Sequence, residues 1–140
     1  MAQPIIDSVH RRRNGWQGAP ARVPAAALVA AAGAIHLYLW FSYFHRVDVI
    51  GPLFLANAAS AVLIACLLAI SGSALVLLAG LGYEATTLVA FAVSTKWGLF
   101  GYHERFWASW QEAAGGVELG GVVLLAAALV GSPRRRPYLG

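Results

Sequence analysis

Charge is what this chain lacks most. Of its 140 residues only 11% are Asp, Glu, Lys or Arg. A soluble domain carries about 25%, so polar side chains are too few to cover a globular surface. That excludes a soluble enzyme, an intrinsically disordered chain and a free nucleic-acid-binding module. Cysteine is nearly absent: Cys66 stands alone, so there is no internal disulfide and no CxxC redox or metal motif. Acidic residues are also scarce, six against ten Lys and Arg, for a net charge of +4. Where the basic residues lie matters more than that sum. What is abundant is apolar: 59% of residues are hydrophobic and the mean hydropathy is +0.66.

The apolar residues fall into four runs, 23–44, 49–70, 74–97 and 113–130. Each reaches or approaches the about 20 residues that cross a hydrocarbon core of about 30 Å as a helix. Pro24 and Pro52 stand near two of the helix openings, where a missing N–H costs little. Only Ser71-Gly72-Ser73 separates the second run from the third, a turn too tight for anything but antiparallel neighbours. The strands of a membrane barrel are about ten residues long and alternate in polarity; these runs are longer and apolar all round. The expected fold is all-α, a four-helix transmembrane bundle, antiparallel and up-down. The expected organisation is a cytoplasmic basic tail over 1–22, the bundle over 23–130 and a second cytoplasmic basic tail over 131–140.

Basic residues set the expected orientation. Arg11, Arg12, Arg13, Arg22, Arg134, Arg135 and Arg136 flank the two chain ends, while Arg46, Arg105 and Lys96 flank the first and third connections. Seven against three places both termini in the cytoplasm of a plasma membrane, in agreement with an even helix count. A cleaved signal peptide would need its site near Ala32-Gly33-Ala34. The apolar run continues through Trp40 to full spanning length, which favours an uncleaved anchor.

Aromatic residues mark the opposite boundary. Tyr38, Trp40, Phe41, Tyr43 and Phe44 end the first run, and Trp97, Phe100, Tyr102, Phe106, Trp107 and Trp110 crowd the connection over 98–110. Tyr and Trp prefer the headgroup layer, so a short interfacial helix is expected between helices 3 and 4. The corners Tyr43-Phe44-His45-Arg46 and Tyr102-His103-Glu104-Arg105 form a faint pseudo-repeat.

The residues that bear on function are the polar ones inside the apolar runs: His36, Asn57, Ser60, Glu84, Thr86, Thr87 and Glu118. A carboxylate at mid-bilayer costs at least about 2.5 kcal/mol and normally faces a partner or a water-filled cavity. At about 1.5 Å per residue, His36, Asn57 and Glu118 share a layer about 9–12 Å below the aromatic boundary, with Glu84 deeper. The expected site is therefore His36, Asn57, Glu84 and Glu118, with Glu118 either protonated or hydrogen-bonded to His36. Thr87, Lys96, His45 and His103 are secondary candidates. Each has a plainer reading: His36, Asn57 and Ser60 as interhelical hydrogen-bonding glue, His45 and His103 as solvated loop residues, and Cys66 as a small hydrophobe. On helix 4, Gly115, Glu118, Gly121 and Val122 share one face, and Gly116 with Gly120 forms a small-xxx-small pair, a pattern that permits close helix approach.

Imidazole with two carboxylates suits a proton relay or a divalent metal such as zinc, copper or iron. The chain has no HxxxH or ExxH spacing, only one clearly intramembrane histidine for a haem, and no nucleophile for Ser–His–Asp chemistry. An enzyme is the minority expectation, and no cofactor is specified.

His36-Leu37, Gly51-Pro52-Leu53-Phe54-Leu55 with Asn57-Ala58, the segment Ser94-Thr95-Lys96-Trp97-Gly98-Leu99-Phe100-Gly101, and Glu118 resemble small alanine-rich four-helix integral membrane proteins of actinobacterial type. The resemblance covers about residues 23–130. It implies the four-helix membrane architecture and brings no activity with it. Lys96 stands where such proteins tend to show arginine, and the arginine-rich termini are not part of the pattern. The chain does not resemble small multidrug transporters, whose essential glutamate lies in the first helix, nor quinone-linked thiol oxidoreductases with paired cysteines.

Two functions are carried forward. The first expectation is an accessory or assembly subunit of a larger membrane complex in a bacterial plasma membrane. Its partners would be the lipid bilayer and other membrane subunits or a second copy, without nucleic acid. The alternative is a binding or transport protein whose intramembrane His/Glu site takes protons, a metal ion or a small ligand.

Overall fold

The computed structural model describes residues 19–103 and 109–131. The arginine runs over 11–13 and 134–136, and residues 104–108 of the expected interfacial helix, lie outside them.

The described residues are helical almost throughout. Helix α1 (Ala19–Leu39) runs on into a five-residue π-helical turn, Trp40–Phe44; α2 is Ile50–Ile70, α3 is Ala74–Lys96 and α4 is Ser109–Gly131. Among the described residues, four helical spans of 21 to 23 residues are long and apolar enough to cross a membrane. At about 1.5 Å per residue they extend about 32–35 Å, a little more than the hydrocarbon core. The chain is a multi-pass membrane protein by this length and composition.

The helix ends follow local chemistry. The Ser73 side chain accepts a hydrogen bond from Val76 N–H at 3.3 Å, the capping bond that opens α3 directly after the Ser71–Ser73 turn. Two ends differ from the sequence reading. Helix α1 begins at Ala19, so Pro24 lies inside it rather than at its opening. Helix α4 begins at Ser109, four residues before the expected 113, because Trp110, Gln111 and Glu112 continue the helix outward.

The connection after α3 also differs. Where a short helix is expected over 98–110, residues 99–102 form a tight turn with Leu99 N–H donating to Tyr102 O at 2.7 Å and Tyr102 N–H to Leu99 O at 2.9 Å. Its central residues, Phe100 (φ 50°) and Gly101 (φ 81°), both have positive φ, the geometry of a type I′ turn, for which Gly is well suited at the second central position. Trp110, assigned from sequence to this connection, belongs to α4 and packs its ring 4.9 Å from that of Tyr38.

Helix α1 is the hub, lying along both α2 and α4, while α3 packs chiefly on α4 and only thinly on α2. Two apolar clusters hold this arrangement. One joins Ala25, Val29, Ala61, Leu68, Leu77 and Leu125 across all four helices. The other joins Leu39, Phe44 and Ile50 at the end carrying the π-helical turn. The π turn is closed by His45 N–H donating to Trp40 O at 2.9 Å. Its residues carry Phe44 into the interior, where the ring stacks on Phe54 at 4.4 Å and meets Tyr102 edge-on at 5.4 Å. The thin contact between α2 and α3, under this aromatic cluster, leaves room for a cavity.

Candidate functional site

Helix α1 presents His36 from its last turn. Its Nδ1–H donates to the Ala32 carbonyl one turn earlier, at 2.9 Å. A carbonyl oxygen only accepts, so Nδ1 carries a proton, and in the neutral ring the lone pair sits on Nε2. That nitrogen lies 3.8 Å from Glu118 Oε1 on α4. The two residues that the sequence places at one depth are thus side by side. Phe54 of α2 packs against the other side of the imidazole, ring centres 5.1 Å apart.

Asn57 takes different partners from those expected. Its Nδ2 donates to Thr87 Oγ1 at 3.1 Å, its Oδ1 accepts from the Tyr83 hydroxyl, and the Thr87 hydroxyl donates to the Tyr83 carbonyl at 2.8 Å. These bonds form a closed polar ladder between α2 and α3, the thinnest-packed of the neighbouring helix pairs. Thr87, a secondary candidate from sequence, therefore belongs to this ladder.

Glu84 is fully buried, and neither carboxyl oxygen has a hydrogen-bond partner. It lies against the backbone of Gly121 on α4: a Cβ there would stand 2.6 Å from Glu84 Oε1 and 2.7 Å from its Cδ. The missing side chain of Gly121 is the space the carboxyl group occupies. Gly116 and Gly120 hold no comparable contact; nothing lies within 4 Å of a Cβ at Gly116, and at Gly120 only Leu28 Cδ1 comes within range, at 3.7 Å. The close α1–α2 approach is made instead by Gly33 against the Ala61 methyl group.

Between the four helices lies a cavity of about 390 Å³, into which His36, Asn57, Thr87 and Glu118 all face as wall residues. Glu84 is not in that wall. Most of the remaining lining is apolar and aromatic, with Phe44, Phe54, Phe91, Phe100 and Tyr102 contributing rings. Gln111 also lines it. The sequence reading does not include this residue, because the apolar run that marks the helix begins only at residue 113. Gln111, Ala114 and Glu118 are spaced three and seven apart, on one helical face, so an earlier start would have aligned them. Tyr83 was also missed, although it stands one turn before Thr87 on the same face.

The other secondary candidates lie away from this wall. Lys96 is exposed, its Nζ 4.7 Å above the Trp97 ring. His45 and His103 are exposed as well, and the His45 ring stands at a steep angle to that of Trp40, ring centres 6.1 Å apart. Among the described residues no three of His, Cys, Asp and Glu come together as a metal site. His36 and Glu118 supply two donors, short of the three or four protein ligands that zinc requires. The arrangement sets an imidazole beside a carboxyl group in a wall that is otherwise mostly apolar and aromatic. Comparison with protein-family models, with curated proteins and with solved structures found no match.

Proposed function

We propose that this chain is a small-molecule-binding protein of the membrane, with the cavity between its helices as the binding site. The cavity carries the reading. Its about 390 Å³ falls within the about 300–1,000 Å³ of known ligand sites. Like those sites it combines an apolar wall with a few convergent polar groups, here His36, Glu118 and the Asn57–Thr87 pair. Buried polar groups are expensive in hydrocarbon, and apolar packing alone would hold four helices together more cheaply. The binding reading accounts for His36 and Glu118 together.

The same proposal includes the arrangement in the bilayer: an antiparallel up-down bundle in the plasma membrane, both termini cytoplasmic, supported by the distribution of arginine and lysine. Under that orientation the cavity lies in the outer half of the membrane. An accessory or assembly role rests on the sequence reading alone, and stoichiometric co-purification of other membrane subunits tests it.

Filling the cavity tests the binding proposal. Ala90 lines the wall, and Ala90→Trp would occupy much of the space. Native mass spectrometry of wild-type protein in lipid nanodiscs is expected to find a retained small molecule that Ala90→Trp loses. Identical spectra for the two proteins would overturn the proposal.

A further inference from the structure

We infer that the cavity takes a cationic amphiphile: an organic amine whose ammonium N–H donates to the Glu118 carboxyl group and whose apolar body lies among the aromatic rings. This rests on the cavity being a binding site, and it names the class of ligand.

The ionisable groups of the wall argue for this polarity. Among the described residues that line the cavity Glu118 is the acid, His36 is the imidazole, and there is no Lys or Arg. Among those residues a carboxylate or phosphate ligand would find no permanent positive partner. An ammonium group beside a carboxylate adds no net charge to hydrocarbon, where a lone charge is strongly disfavoured.

Hydrogen bonding points the same way. The His36 Nδ1–H is already committed to Ala32, and the Tyr83 and Thr87 hydroxyl protons to Asn57 and the Tyr83 backbone. Glu118 Oε2, in contrast, is buried without a hydrogen-bond partner in a residue that is 1% exposed. Oε1 is the oxygen facing His36. With the carboxyl ionised, or with its proton on Oε1 toward the Nε2 lone pair, Oε2 is an acceptor without a donor. A buried acceptor left unsatisfied is costly; Oε2 is itself sealed from the cavity, so an amine ligand would supply the missing donor as the Glu118 side chain turns that oxygen into the space. Gln111, another wall residue, has its Oε1 buried with no hydrogen-bond partner among the described residues.

The rings supply the rest. Phe44, Phe54, Phe91, Phe100 and Tyr102 border one cavity, and aromatic faces attract organic cations as well as apolar carbon, most strongly where water is excluded. The wall thus offers a carboxyl group for the amine and aromatic surface for its body.

The test compares three probes of one shape: 2-naphthylmethylamine, 2-ethylnaphthalene and 2-naphthoate. Each is titrated against the full chain in lipid nanodiscs, with empty nanodiscs subtracting simple partition into lipid. The amine is expected to bind at least tenfold more tightly than the hydrocarbon, and the carboxylate more weakly than either. Glu118→Gln, which keeps the shape and one acceptor but removes the acid, is expected to cut the amine's advantage below threefold. The wild-type ranking stands on its own if that variant fails to fold. Equal binding of amine and hydrocarbon would overturn the amine inference and leave cavity binding intact. Tightest binding of naphthoate would assign recognition to His36 and overturn it too. Binding of none of the three would overturn both readings.

Discussion

Glu84 and Gly121 show how far one side chain can depend on the absence of another. The carboxyl group fills the space where a Cβ of residue 121 would stand, less than 3 Å from three of its atoms. Both its oxygens are buried, and the neighbouring backbone is helical on both sides. Gly121→Ala is therefore expected to cost about 1–3 kcal/mol, the usual range for overpacking, read by reversible unfolding in mixed micelles. The same change made in a Glu84→Ala background should cost less than half as much, because the clashing group has gone. A double-mutant cycle reads that difference directly; independent, additive costs would show that the two residues do not oppose each other. Both residues stood out in the sequence, one as an intramembrane acid and one as a glycine on a helix face. Their contact did not, because helical spacing gives the face of each residue on its own helix and says nothing of which neighbouring face it meets.

At the scale of elements, the connection between α1 and α2 is the most constrained. Val49 has φ 64° and ψ −50°, and Ile50 N–H donates to Asp48 O at 2.7 Å. That is a γ-turn of the rare, positive-φ kind, and for a β-branched residue it is a costly conformation. The turn swings α2 back along α1 so sharply that Gly51 lies against the Phe44 carbonyl oxygen. Glycine at position 49 would adopt this backbone without the Cβ penalty. Val49→Gly is expected to stabilise the protein by about 0.5–2 kcal/mol, the strain released less the extra flexibility of the unfolded chain, seen as a higher melting temperature in detergent. A lower one would show that Val49 contributes more by packing than it costs in strain. Nothing in the sequence announces such a turn, since valine is among the residues least suited to it. The type I′ turn at Phe100-Gly101 carries only half a signal: its second central residue is glycine, its first is not. The turn at Ser71–Ser73 was legible, because short polar residues between two long apolar runs have few other uses.

For the whole molecule, the asymmetry of basic residues makes a prediction that is independent of the cavity. With both termini cytoplasmic, a cysteine placed at His103 should react only with a membrane-impermeant thiol reagent added from outside the cell. One placed at Arg12 should react only from within. The chain's own Cys66, which is exposed within α2, would be replaced by alanine first so that each label reports one site. The reverse pattern of labelling would invert the topology, and labelling of both sites from one side would require an even number of crossings between them.

The sequence by itself determined the class of the protein, the number of its long apolar helices and their approximate extents. These follow from composition and run length, because a backbone in hydrocarbon must satisfy its hydrogen bonds within a helix or a closed barrel. It also determined that His36, Asn57, Glu84 and Glu118 are the residues needing an explanation, since each is costly where it stands. Only the tertiary structure decided how they are grouped. His36 meets Glu118, Asn57 turns instead to Thr87 and Tyr83, and Glu84 is set apart against Gly121. It also opened the cavity between the four helices. The physical reason is that helices which are apolar on every side have no face that composition alone can assign. In lipid, which face turns inward is settled by the close packing of small residues and by the few polar groups that find partners.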